Sequence, residues 1–227
     1  MLPKVIMHNS VSVDGSFLHF DIDMKIHYQV VQDYKPDIHL IGSNTAKIGI
    51  ETYYDEIPKE TVSDFQKPVK DSSLPFWVIV DTKGKLEGLL HVYRRYKYCK
   101  DVVVLISRKT SEGYRKYLED RKYDYHEMGE DYINCKAALG MLSEIYGAKT
   151  ILTDTGRTLC NVLLEQGLIS EISLIVQPII VGENAENLFG NIRNLVGLRK
   201  LNCRDLGNDC IWLNYQVEGW GINESIG

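Results

Sequence analysis

The sequence predicts an α/β protein of three layers, with helices on both faces of a mostly parallel sheet and an antiparallel hairpin at the C-terminal end. Three observations predict it. Strand-like and helix-like segments alternate nearly throughout, as parallel strands with crossover helices require. The stretch Lys149 to Phe189 reads as strand, tight turn, helix, strand, with its polar chemistry concentrated in the first turn. Near the C-terminus, Gly207-Asn208-Asp209 separates two strand-like runs, a hairpin turn that adds an antiparallel edge.

Short apolar runs bounded by turn residues place strands at Lys4 to Val11, Ile38 to Ile41, Phe76 to Asp81, Val102 to Ser107, Tyr123 to His126, Thr150 to Thr153 and Ile172 to Ile180. Between them, apolar residues at helical spacing fall around Met24 to Tyr34, Ser111 to Arg121, Cys135 to Tyr146 and Thr158 to Glu165. In the last of these, Leu159, Val162, Leu163 and Leu164 form the apolar face of a helix that ends at Gly167. The hairpin strands are Arg199 to Leu206 and Cys210 to Val217. Gly49 to Pro75 holds three of the six prolines and many charges and is expected to be a long loop. Leu174, Val176, Ile179 and Ile180 are expected to be buried core.

With 227 residues, 44% hydrophobic and 25% charged, the composition is ordinary for a globular protein. One domain over residues 1–217 fits best, followed at 218–227 by a tail with little to bury. A net charge of -5 argues against a nucleic-acid partner, which would call for a clustered basic face. The one basic cluster, Arg94-Arg95-Tyr96-Lys97-Tyr98, reads as the solvated side of a segment whose Leu89, Leu90, Val92 and Tyr93 pack inward. The five cysteines include no CxxC pair, and no cleavable apolar leader precedes Val5, so reduced thiols in a cytoplasm are expected. The six histidines show no HExxH or Cys/His grouping, so no metal site is expected. No apolar run approaches the roughly 20 residues that cross a bilayer, so no membrane partner is expected.

In open α/β sheets, ligands bind at the carboxyl ends of strands. Four such ends are chemically rich: Asn9 to Gly15, Gly42-Ser43-Asn44-Thr45, Ser107-Arg108-Lys109-Thr110 and Asp154 to Thr158. At the last, helix-start amides attract anions, Gly156 permits close backbone approach, Thr155 and Thr158 offer hydroxyls, and Arg157 a fixed charge. The alternative there is an ordinary capped turn. Arg108 and Lys109 after Ser107 suit a phosphate monoester such as the 2′-phosphate of NADP, the alternative being a helix start capped by Thr110 or Ser111.

Together SVDG, IGSNT, LISRKT and ILTDTGRTLCNVLLEQGLISEISLIVQPIIVGENAENLFG resemble the riboflavin-biosynthesis reductase family, the C-terminal reductase of RibD and its stand-alone archaeal relatives. The resemblance spans nearly residues 4 to 217 and implies a dihydrofolate-reductase-like fold, a homodimer, and an NADPH-dependent reduction of a small-molecule substrate. In that reaction, hydride goes to an imine-like carbon of a pyrimidine ribosylamine phosphate. By resemblance, Gly42, Ser43, Asn44 and Thr45 lie along the cofactor, Ser107 and Arg108 hold the 2′-phosphate, and Thr155, Gly156, Arg157, Thr158 and Leu159 wrap the pyrophosphate. Ser12, Asp14 and Asp154 face the substrate, with Asp14 the one candidate proton carrier.

The chain departs from the family at three places. Asp154-Thr155-Gly156 stands where Glu-Gly-Gly is usual, Ser16 and Phe17 follow the early Asp-Gly where Lys or Arg is usual, and no Arg lies between Ile48 and Pro75. These departures leave two further readings open. One is a dihydrofolate-reductase-like enzyme acting on another heterocycle; the other is a nucleotide-binding relative that has lost turnover.

Overall fold

In the computed structural model, which describes residues 1–221, the elements in chain order are β1 (Lys4–Ser12), α1 (Met24–Tyr34), β2 (Ile38–Gly42), α2 (Ser43–Tyr53), β3 (Phe76–Val80), α3 (Leu90–Arg95), β4 (Val102–Ile106), α4 (Glu112–Asp120), β5 (Asp124–Glu127), α5 (Cys135–Tyr146), β6 (Thr150–Thr153), α6 (Arg157–Glu165), β7 (Glu171–Gln177), β8 (Leu195–Asp205) and β9 (Ile211–Gly221). This is the expected α/β alternation, mostly parallel with an antiparallel C-terminal hairpin. The chain divides into two compact units, Met1–Pro3 with Pro36–Ile151, and Lys4–Lys35 with the chain from Leu152 onward.

The first unit carries four parallel strands in the order β5-β4-β3-β2. Its central run, Val102–Ile106, is buried at every residue, as a parallel strand covered on both faces must be. It packs with Trp77, Ile79, Leu90, Tyr114 and Leu118. Here α2 corrects the sequence reading, since the expected loop from Gly49 begins inside a helix. Ala46 and Ile50, one turn apart, are its buried residues, and Gly49 obscures the short amphipathic pattern.

The basic cluster is a second correction. Arg94 is 3% exposed. Its Nε donates to Asp101 Oδ1 at 2.8 Å, and Nη1 donates to the carbonyls of Asp64 at 2.8 Å and Arg121 at 2.7 Å. Arg95 pairs with Asp64, and Lys70 Nζ donates to the carbonyls of Arg94, Tyr96 and Cys99. These cations hold the irregular chain after α2 in place by neutralising carbonyls that have no strand to pair with.

In the second unit β1 runs parallel to β7, and β9 lies antiparallel between β7 and β8. Register sets His8 beside Ser173 and Ser173 beside Asn214, with Ser10, Ile175 and Trp212 in the next row on the same face. From α1, Ile26 and Val30 pack there against Ile175, Cys210 and Trp212. Strand β7 ends at Gln177, before Pro178, and the expected burial of the last residues of this run fails. Ile179 is exposed and Ile180 is 71% exposed, because the chain leaves the ladder at a residue with no amide hydrogen. The hairpin turns where expected, with Gly207, Asn208 and Asp209 at φ of 81°, 51° and 57°. Its strands run longer than expected, so Glu218 to Gly221 complete β9 instead of opening a tail; the rest of the expected tail, 222–227, lies outside the described residues. Among the described residues no helix is long and apolar enough to cross a membrane.

Candidate functional site

In the second unit, the chain turns sharply after β1. Gly15, at φ 80°, donates its amide to Ser12 O, and the Ser16 amide donates to Ser12 Oγ at 2.9 Å. Ser12 Oγ donates to Asp14 Oδ1 at 2.5 Å. The Asp14 carboxylate also accepts from the Val181 amide at 3.2 Å and the Gly182 amide at 2.8 Å. The Ser12 hydroxyl, and then the Gly182 amide, hold the Asp14 carboxyl down at about 2. It is therefore ionised at neutral pH and tied to the chain after β7, an arrangement suited to anchoring that chain.

This anchoring has a pH signature. The folded value is lowered from the ordinary 3.8, so the stabilisation is present above that value and is lost as pH falls toward about 2. Protection of the Val181 and Gly182 amides, measured relative to their intrinsic exchange rates, is expected to fall over that window and to be low at all pH in Asp14→Asn. A protection factor in the wild type that does not change across the window would refute the anchor.

The turn between β6 and α6 is shaped from beneath. Asn9 Nδ2 donates to Thr155 O at 3.1 Å, and Cys160 Sγ donates to the same oxygen at 3.1 Å. Thr155 is 2% exposed. Its methyl and hydroxyl are thus packed inside, and the departure from Glu-Gly-Gly does not put them on the surface of the turn. Gly156 is the N-cap of α6, with φ -71°, ψ 175° and no side-chain cap bond. Arg157, expected in the turn, opens the helix, with Nη2 at 3.7 Å from Glu186 Oε2; Thr158 is exposed and Leu159 half-buried.

Behind Asp154 lies a polar group the sequence did not announce. His27 Nε2 is 3.5 Å from Asp154 Oδ2, and His27 Nδ1 is 3.1 Å from Ser10 Oγ. His8 stands 4.5 Å from the His27 ring, with its Nδ1 at 2.9 Å from Ser173 Oγ, which accepts from Trp212 Nε1 at 2.7 Å. A hydroxyl on one ring nitrogen and a carboxylate by the other fix how this buried imidazole presents itself to Asp154.

In the first unit, Gly42 is the N-cap of α2, again with no side-chain cap bond, and Ser43, Asn44 and Thr45 form the first turn. Lys85 Nζ donates to Asn44 Oδ1 at 2.5 Å. The contrast with the other helices of more than two turns is informative. Asp23, Ser111 and Asn134 cap α1, α4 and α5 through their side chains, whereas the two helices at the expected cofactor residues start at glycines. After β4, Ser107 is buried, its amide donating to Thr110 Oγ1 at 3.1 Å. The groups this turn presents to solvent are Arg108 and Lys109, which meet Glu130 and Asp131.

Among the expected site residues, Ser12 and Asp14 are joined by a hydrogen bond; Asp154 and Gly42 stand beside the starts of α6 and α2 as sequence neighbours, and Ser107 is buried while its neighbour Arg108 is exposed. A cleft of about 620 Å³ in the second unit is lined by His19, Ile179, Ile180, Val181, Asn184 and Glu186, none of them an expected site residue. His27 was missed as part of the site, and Asn9, though inside the polar end of β1, was given no role. The available signal was polar residues interrupting the apolar run of β1 and the apolar face of α1.

Residues 3–212 match the RibD C-terminal domain family. The fold is similar to that of Acinetobacter baumannii RibD (TM-score 0.68, 19% identity), covering 95% of this chain and 58% of that one, so the chain spans little more than half the length of that relative. It is also similar to a pyrimidine reductase-like protein of Corynebacterium diphtheriae (TM-score 0.69, 16% identity), covering 95% of this chain and 92% of that one. The riboflavin biosynthesis reductase of Saccharomyces cerevisiae gives a TM-score of 0.67 at 15% identity, with 95% and 90% covered.

Proposed function

The chain belongs to the RibD C-terminal domain family, and from that premise we propose that it is an NADPH-dependent reductase of riboflavin biosynthesis. Its substrate on this reading is 2,5-diamino-6-ribosylamino-pyrimidinone 5′-phosphate or 5-amino-6-(5-phosphoribosylamino)uracil. The family match over residues 3–212 carries the reading. The glycine N-caps of α2 and α6 support it, because a residue without Cβ leaves room for a phosphate at helix amides.

When bound, NADPH would supply a hydride to the imine-like carbon of the opened ribosylamine, the second hydrogen being taken up as a proton from solvent. The chain's own part is positioning. In the second unit, Gly156 to Leu159 offer amides to the pyrophosphate, with Arg157 adding charge and Thr155 shaping the turn from inside. In the first unit, Gly42 to Thr45 lie along the cofactor. Arg108 takes the adenosine 2′-phosphate, while Ser107 sets the turn. Ser12 and Asp154 are assigned to the substrate, Asp154 being oriented by His27. Asp14 fixes the loop next to them.

Arg108→Ala is expected to weaken NADPH by about 10- to 150-fold, a charge-assisted contact of roughly 1.5–3 kcal/mol, and NADH far less. Equal losses for both cofactors would remove the 2′-phosphate assignment. The activity itself is tested by mixing protein, NADPH and either substrate, then following nicotinamide absorbance and the product's gain of two hydrogens by mass. A second reading, an unphosphorylated ribosylamine substrate, is favoured by one observation. No Arg lies between Ile48 and Pro75, and Lys70 there is committed to three backbone carbonyls.

We also assign the chain to the cytoplasm as a homodimer. Strand β8 is an edge strand, and its Leu195, Leu198 and Leu201 are exposed, apolar surface that a second copy would cover. Light scattering should give twice the 26.0 kDa chain mass; the single-chain mass would contradict the assignment.

A further inference from the structure

The cations of the turn after β4 are already engaged. Arg108 Nη1 donates to Glu130 Oε1 at 3.0 Å, and Lys109 meets Asp131. The loop bearing both acids is pinned to the turn by its backbone, with the Arg108 amide donating to Gly129 O at 2.8 Å and the Lys109 amide to Glu130 O at 3.3 Å. Gly129 has φ 137°, and a Cβ there would collide with the Tyr132 carbonyl oxygen, so a glycine lets the chain fold back and aim Glu130 at Arg108. Arg115, alongside, is occupied by Glu127 Oε2 at 2.8 Å.

Arg108 and Glu130 side chains are 69% and 71% exposed, and a pair so exposed is weakly held and readily exchanged. A phosphate dianion makes the stronger partner for a guanidinium. Taking Arg108 leaves the Glu130 carboxylate unpaired and close to the new negative charge, held there by the backbone of its own loop.

We propose that Glu130 sets how strongly this chain prefers NADPH over NADH, by occupying Arg108 in the free protein and opposing the 2′-phosphate in the bound one. The inference rests on Arg108 being the 2′-phosphate contact proposed above. NADH carries a neutral hydroxyl at that position, so its affinity should not depend on the charge of Glu130. The pair thus tunes a ratio of affinities, with Arg108 the attractive element and Glu130 the repulsive one.

The test is to measure dissociation constants for NADPH and NADH with wild type, Glu130→Gln and Asp131→Asn at one ionic strength, by nicotinamide fluorescence. Glu130→Gln is expected to tighten NADPH on the order of five- to ten-fold, the scale of a unit charge repelling a dianion in water, and to leave NADH within about two-fold. Asp131→Asn should move NADPH less. An unchanged ratio in Glu130→Gln, or a parallel shift of both cofactors, overturns the inference while leaving the reductase reading intact. Wild type that binds neither cofactor overturns both.

Discussion

Gly156→Val is expected to yield a folded protein that has lost measurable affinity for both NADPH and NADH. The local backbone makes this a clean experiment, because φ -71° and ψ 175° are open to any residue and the glycine makes no side-chain cap bond to lose. Valine is a poorer N-cap than glycine by on the order of 1 kcal/mol, which the fold should tolerate. What changes is the space before the first amides of α6. A branched side chain there excludes the pyrophosphate from at least two charge-assisted hydrogen bonds, a loss of about 100-fold or more. Thermal melting and cofactor titration of the same sample separate the two effects. Unchanged affinity in a folded variant would move the phosphate site elsewhere.

The second large effect is on stability. Arg94→Ala should cost about 3–5 kcal/mol, since it leaves the buried Asp101 carboxylate unpaired and abandons the carbonyls of Asp64, Arg121 and Lys122. The loss of the guanidinium 3.6 Å from the Tyr123 ring centroid adds to it. Burial already pushes the Asp101 carboxyl above its ordinary value against the pull of Arg94. In the variant that pull is gone, so the folded pKa stays raised, the penalty is greatest where Asp101 must be charged, and it eases as pH falls. Melting temperatures are expected to drop by on the order of 10 °C at neutral pH and by less in mild acid. A shift of only a degree or two at neutral pH would mean that water replaces the guanidinium at little cost.

What could be read from sequence was local. Thr150–Thr153 is a short apolar run ending in turn residues, and it stands as predicted. Cys135–Tyr146 is likewise bounded by an Asn cap and by Gly147 at φ 67°. The misread pieces depend on partners far along the chain. Arg94 looks solvated beside Arg95 and Lys97, and only the carbonyls of residues near 64 and 121 make its burial sensible. Ile179 and Ile180 continue an apolar pattern past the point where Pro178 ends the pairing. The same holds in the candidate site. Gly42 and Gly156 were legible as turn residues after short apolar runs, and they stand as the N-caps of α2 and α6, whereas the role of Asn9 follows from a carbonyl 146 residues away. His27 owes its significance to Asp154, across a similar gap.

The most direct measurement is a titration of the purified wild-type protein with NADPH and with NADH, following nicotinamide fluorescence. Saturable binding of NADPH, tighter than that of NADH, is the result the account predicts. Binding of neither cofactor would contradict it, and the glycine-capped helices would then have to serve some other anion.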